Sequence, residues 1–252
     1  YTKYIPVTNH FPYEYPIDST FPLALTEDET INGYFATANY FDQALEQFVN
    51  KLKEDGTYEN TVFVLYGDHY GISNSRNKKL APLLNAEVDL EAWDTDDNLD
   101  LQRVPLIYHI PNAGLNTTEI NHTYGGQIDI LPTLLSLMGD ESNNYIHIGQ
   151  DLLSGSSQNY VVLRDGTIIS EQYKIVNKSK IYIYNEKVEF DLLSLEEQTY
   201  IDSLIEKGKQ QLEKSDQVVM GDLLRFYTTN LDKVDVNTYD YSVPEVVTSD
   251  TN

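Results

Sequence analysis

The chain has 252 residues, 40% of them hydrophobic, and its 40 acidic against 17 basic side chains give a formal charge of −23. That length supports one sizeable core, or a core with a smaller subdomain. A surface this acidic repels nucleic acid and anionic membranes, which excludes both as partners held by charge alone. The absence of cysteine excludes disulfides, thiolate metal sites and a cysteine nucleophile. No apolar run approaches the roughly 18 residues that a membrane helix needs. Tyr1 opens in what reads as mid-strand sequence, without an initiator Met or signal peptide, so the chain is expected to be a fragment of a longer protein.

The predicted elements begin with a short strand, Tyr4 to Asn9, running into a loop with His10, Pro12 and Pro16. Thr26 and Glu29 have the spacing of a capping box. Behind them Ile31, Tyr34, Phe35, Ala38, Phe41, Leu45, Phe48, Val49 and Leu52 form one helical stripe, ended by Asp55-Gly56. Thr61 to Tyr66 is a strand apolar on both faces, the kind covered by helices inside a parallel sheet. A short helix is expected over Asn77 to Leu84, an acidic loop over Val88 to Gln102, and a strand over Arg103 to Pro111. The run GGQIDILPTLLSLMG is a further helix, with Asp129 or Gln127 near its start, Pro132 in its first turn and Gly139 closing it. This order predicts an α/β fold with a largely parallel sheet flanked by helices.

The pattern changes near residue 155. VVLR-DG-TIIS and YKIV-NKSK-IYIY read as successive hairpins, the first with Asp165-Gly166 in a type I′ turn. These four short strands are expected to make a small antiparallel β-meander. Ser194 and Glu197 form a second capping box before Tyr200, Ile201, Leu204, Ile205 and Leu212, a long C-terminal helix expected to pack on the meander. The predicted divisions are therefore 1–155 for the α/β part, 156–228 for meander plus helix, and 229–252 for an acidic tail of little structure.

The chemistry centres on TVFVLYGDHYGISNS. Loops leaving the carboxyl end of a parallel strand are where α/β proteins place ligands. Adjacent Asp68 and His69 suit a divalent metal such as Mn²⁺ or Zn²⁺, with Gly67 and Gly71 allowing close backbone approach. The same residues also fit an Asp that caps a turn beside a packed His. His10 follows its own apolar segment and would share a rim with His69 if the two strands were neighbours, placing it to bind a phosphate or donate a proton; otherwise it is a loop histidine bonded to backbone. Ser73, Asn74 and Ser75 fit substrate contacts only if the Asp-His pair binds metal. His109, His122 and His147 read as structural, and Arg103 as a partner of a nearby carboxylate. Asp94, Asp96, Asn98 and Asp100 do not make an EF-hand, because Leu99 and Pro105 stand where Gly and Glu are required.

In order and spacing, TNHFPY, VFVLYGDHYGIS, RVPLIYHIP and TYGGQIDILPTLLSLMG resemble the lipoteichoic acid synthases, phosphoglycerol transferases of the sulfatase and alkaline-phosphatase superfamily. The resemblance covers nearly the whole chain and implies the C-terminal part of the extracellular domain. It implies Asp68 and His69 as ligands of Mn²⁺, and His10 and Ser73 as contacts to the glycerophosphate headgroup of phosphatidylglycerol. It further implies that the nucleophilic threonine and a glutamate ligand lie upstream, so this chain alone is expected to be inactive, with no catalytic nucleophile of its own. The implied partners are phosphatidylglycerol, the lipoteichoic acid chain and the upstream half of the same domain. The implied location is the outer face of a Gram-positive membrane. A phosphodiesterase or sulfatase-type hydrolase needs the same metal pair, and a non-catalytic binding domain that kept Asp68 and His69 is the reading from another class.

Overall fold

The computed structural model describes residues 1–14, 26–94, 96–114, 119–140, 146–155 and 157–225. The chain divides into two compact units, 1–119 and 120–252. This division does not coincide with the change in strand pattern near residue 155. Pro16 and the expected acidic tail, 229–252, lie outside the described residues.

In the first unit, helix α1 spans Glu29–Glu54. Its N-cap is Asp28, whose carboxylate accepts from the amides of Thr30 and Ile31. Thr26 does not cap with Glu29 as expected. Its hydroxyl instead accepts from the Asp28 amide and bonds Asn32, because the Asp carboxylate is the stronger acceptor and stands two residues closer to the helix. The apolar stripe is buried only at its start, where Ile31 joins Tyr13, Ile72 and Leu80, flanked by Tyr34, Phe35 and Leu101. Further along, Phe41, Leu45, Val49 and Leu52 are half-buried and Phe48 is exposed.

Strand β1 (Phe63–Tyr66), helix α2 (Asn77–Leu84) and strand β2 (Leu106–His109) follow. The two strands pair antiparallel, from Phe63 opposite His109 to Tyr66 opposite Leu106. No parallel sheet is formed by the described residues. A short run apolar on both faces carries no information about strand direction, which is where the parallel expectation failed. Residues Tyr4 to Asn9 are not a strand either. No described segment pairs with them, and Ile5 and Val7 are exposed.

The second unit begins with α3 (Ile130–Leu137), preceded by a 3-10 turn at Gln127–Asp129 and closed by Gly139 at φ +73°. Its meander has five strands in sequence order: β3 (Tyr160–Val162), β4 (Ile168–Ser170), β5 (Tyr173–Asn177), β6 (Lys180–Ile183) and β7 (Glu186–Val188). The fifth, Glu-Lys-Val, is too polar to stand out as a strand. The type I′ geometry falls at Tyr184-Asn185, with φ of 50° and 67° between the paired Ile183 and Glu186. At Asp165-Gly166 only Gly166 is left-handed, after a turn closed by its own amide on the Leu163 carbonyl. Helix α4 (Leu195–Met220) starts at the expected Ser194–Glu197 capping box. Ile201 and Leu204 of α4 bury against Ile168, Tyr173, Ile175 and Ile181 of the sheet, and the Lys178–Asp202 pair at 2.6 Å ties the β5–β6 turn to the same helix. No helix among the described residues is long and apolar enough to cross a membrane.

Candidate functional site

The ladder of β1 and β2 ends one residue past Tyr66, where the Gly67 amide donates to the Pro105 carbonyl at 3.0 Å. Asp68 and His69 come next, both exposed, with His69 Nε2 3.7 Å from Asp68 Oδ1. His69 Nδ1 lies 2.9 Å from the Tyr70 carbonyl. A carbonyl only accepts, so Nδ1 carries the proton of the neutral ring and Nε2 keeps its lone pair. His10 repeats this arrangement, its Nδ1 2.7 Å from the Phe11 carbonyl. The two imidazoles meet edge to face, with ring centres 6.2 Å apart and planes at 88°. Two histidines distant in sequence thus share one rim with their Nε2 atoms free of backbone bonds.

Tyr13 makes this convergence possible. It is buried, and its hydroxyl donates to the carbonyl of Gly71, two residues past His69. Its amide takes the His10 carbonyl at 3.0 Å, so one residue grips both histidine loops. Tyr13 itself sits at φ 62°, a region that costs a non-glycine residue about 1–2 kcal/mol. Gly33 makes room for it, and Gly71 makes room for the Tyr34 ring that packs edge-on against it. A Cβ on Gly33 would stand 2.8 Å from the Tyr13 carbonyl oxygen, and one on Gly71 would stand 2.4 Å from the Tyr34 ring. Burial holds the Tyr13 phenol above its ordinary pKa, with Tyr34 acting in the same direction, so it stays a donor. Ile72, buried in the core beside Tyr13, anchors the loop just beyond.

Ser73 follows, its Oγ 3.0 Å from Ser75 Oγ and 3.3 Å from Nη1 of Arg76. Lys3 contributes positive charge to the same region. Its ammonium is held above the ordinary lysine range chiefly by a hydrogen bond to Tyr66, with Asp68 adding in the same sense. Arg76 and Tyr13 were not expected from the sequence. The signal for Arg76 was a basic residue one turn past Ser73, whereas nothing local marks Tyr13, whose role comes from its backbone angle and burial.

The donor set fits a divalent metal in part. A carboxylate and an imidazole lone pair beside each other suit borderline cations, and the Nδ1–H to carbonyl bond is the usual second support of a ligating histidine. Among the described residues no group of three or more His, Asp or Glu side chains is gathered closely enough to hold an ion, and Asp68 and His69 by themselves would be only part of a shell.

The remaining histidines have structural partners where bonds are seen: His109 Nε2 is 2.6 Å from the Tyr58 hydroxyl, and His147 Nδ1 is 3.1 Å from the Gly149 carbonyl. The acidic stretch is more ordered than a solvated loop. It contains a 3-10 helix, Asp97–Gln102, with Asn98 buried against Asn77, while Asp94 and Asp97 carboxylates accept nearby amides.

Residues 1–140 match the family described as Sulfatase. Over 255 residues the chain is 40% identical to lipoteichoic acid synthase 2 of Bacillus subtilis (strain 168), covering 100% of this chain and 37% of that protein. It is 40% identical over 244 residues to lipoteichoic acid synthase 1 of the same organism, covering 96% and 36%. It is 39% identical over 247 residues to lipoteichoic acid synthase of Staphylococcus saprophyticus, again covering 96% and 36%. The chain therefore spans little more than a third of the length of these relatives.

Proposed function

The chain belongs to the sulfatase family, and on that premise we propose that it is part of a metal-dependent phosphoglycerol transferase, one that moves glycerophosphate from phosphatidylglycerol to a growing lipoteichoic acid chain. The observation that carries this reading is the convergence of His10 on the Asp68–His69 pair, with ring centres 6.2 Å apart. The choice of a transferase within the family is supported by similarity along the whole chain to proteins named lipoteichoic acid synthases. The same likeness supports an activity on the outer face of a Gram-positive cell membrane.

Asp68 and His69 would hold the metal, Mn²⁺ in this reading. When bound, such an ion stabilises charge on a phosphoryl oxygen and lowers the pKa of a hydroxyl nucleophile. His10, its Nε2 lone pair turned away from the backbone bond, accepts from a glycerol hydroxyl. Ser73 donates to a phosphate oxygen. Tyr13 keeps both loops in register, which fixes the distance between headgroup and metal. The nucleophilic threonine and a glutamate ligand come from outside these residues, so the 252-residue chain holds substrate and metal but does not turn over.

The test is diacylglycerol release from phosphatidylglycerol with Mn²⁺ present. A longer polypeptide containing this chain, with an upstream Glu and Thr, is expected to release diacylglycerol and extend a glycerophosphate acceptor. Asp68→Ala or His69→Ala in it should abolish both. Turnover by the 252-residue chain alone, or exclusive transfer to water, would contradict the proposal.

A further inference from the structure

We propose that Arg76 is a positioning residue for the headgroup-binding hydroxyl: anchored on Asp28, its guanidinium donates to Ser73 Oγ and leaves the Ser73 proton free to be given to an anionic oxygen. The proposal rests on the reading of Ser73 as a glycerophosphate contact. A guanidinium has donors only, so in the 3.3 Å contact from Nη1 the serine oxygen must accept. The neighbouring Ser75 hydroxyl, 3.0 Å away, can act as donor or acceptor. With Arg76 on one lone pair and Ser75 donating to the other, the Ser73 hydrogen has no partner in the loop. An acceptor-only group, such as a phosphate oxygen, then completes the set, and the Ser75 hydroxyl turns to suit.

The anchor is an ion pair with Asp28. Arg76 Nε is buried 3.4 Å from Asp28 Oδ1, with no hydrogen bond of its own. The second Asp28 oxygen takes Lys79 Nζ at 2.9 Å, and Asp28 is fixed as the cap of α1 through the Thr30 and Ile31 amides. The Arg76 amide also donates to the Ser73 carbonyl at 2.8 Å, so backbone and side chain close on the same serine. A lysine would keep the charge beside Asp28 but lose the planar fork that spans carboxylate and hydroxyl at once.

The experiment titrates the full chain with glycerol 1-phosphate, Mg²⁺ present, and reads Kd from NMR shifts for wild type, Ser73→Ala, Arg76→Gln, Arg76→Lys and the Ser73→Ala/Arg76→Gln pair. Ser73→Ala should weaken binding about tenfold and Arg76→Gln about fivefold. The double variant should be no worse than Ser73→Ala alone, because one residue acts through the other. Arg76→Lys should melt like wild type yet bind like Arg76→Gln, which separates positioning from folding. Wild-type affinity in Arg76→Gln or Arg76→Lys, or additive losses in the double variant, would overturn the proposal alone. No binding by wild type, or no loss in Ser73→Ala, would overturn the reading of the loop and the proposal with it.

Discussion

Residues 120–252 close their core with segments that follow one another in sequence: the meander strands, then α4, with Ile168, Ile175, Ile181, Ile201 and Leu204 almost wholly buried. Residues 1–119 assemble theirs from pieces far apart. Tyr13, Ile31, Ile72 and Leu80 meet, while among the described residues β1 and β2 form a two-stranded sheet and the far half of the α1 stripe stays partly open. The candidate chemistry sits on the open unit. Local hairpins and a capped helix complete a core with little long-range pairing, whereas a site made by converging loops depends on a few long-range contacts that each matter individually.

The strongest way to break this contrast is a cavity in the closed core. Ile181 is fully buried on β6. Ile181→Ala is expected to cost about 2–5 kcal/mol, read as lost amide-exchange protection along α4 and the meander. Protection at the start of α1 should be retained. Loss of α1 protection to the same degree would show that the two units fold as one.

A second test uses two buried aspartates with opposite environments. Asp28 faces Lys79 and Arg76, and the hydrogen bond to Lys79 above all holds its carboxyl below the ordinary range. Its stabilisation is present above the unfolded value, about 4, and is lost as pH falls through the depressed folded value. The Asp129 carboxylate accepts from the Gly126 and Gln150 amides, both at 2.8 Å, and burial raises its pKa. Its contribution is fully present below about 4 and is lost as pH rises through the raised folded value. Acidification should therefore weaken the Thr30 and Ile31 amides while the turn around Asp129 tightens, after correction for intrinsic exchange. Asp28→Ala removes the cap and both ion pairs, costs about 1–2 kcal/mol, and should abolish the acid-induced loss at α1. A parallel acid response in the two units would contradict these assignments.

The smallest effect concerns the site itself. Asp68→Ala and His69→Ala remove exposed side chains and should change stability by less than about 0.5 kcal/mol. A larger loss of melting temperature would make the pair structural.

The sequence carried the local features well. The α2 boundaries, the Ser194–Glu197 cap and the closing Gly139 follow from residue chemistry within a turn or two. Strand direction did not, since Val62 to Tyr66 and Leu106 to Tyr108 are apolar on both faces whichever way they pair. The Asp68–His69 pair and His10 were legible as candidates because loops after apolar runs are where ligands bind. Their meeting depends on Tyr13, a buried left-handed residue flanked by Gly33 and Gly71, and no periodicity reports such a contact. Arg76 escaped for a similar reason: its partner Asp28 lies on another element, 48 positions earlier in the chain.

The most direct measurement is a Mn²⁺ titration of the chain, followed by paramagnetic broadening of the ring signals of its 5 histidines. The account predicts that His69 broadens first and His10 with it, that Asp68→Ala shifts the effect to higher Mn²⁺, and that His109, His122 and His147 stay sharp. Broadening led by any of those three, or broadening of His69 unchanged in Asp68→Ala, would contradict a metal site at the end of β1.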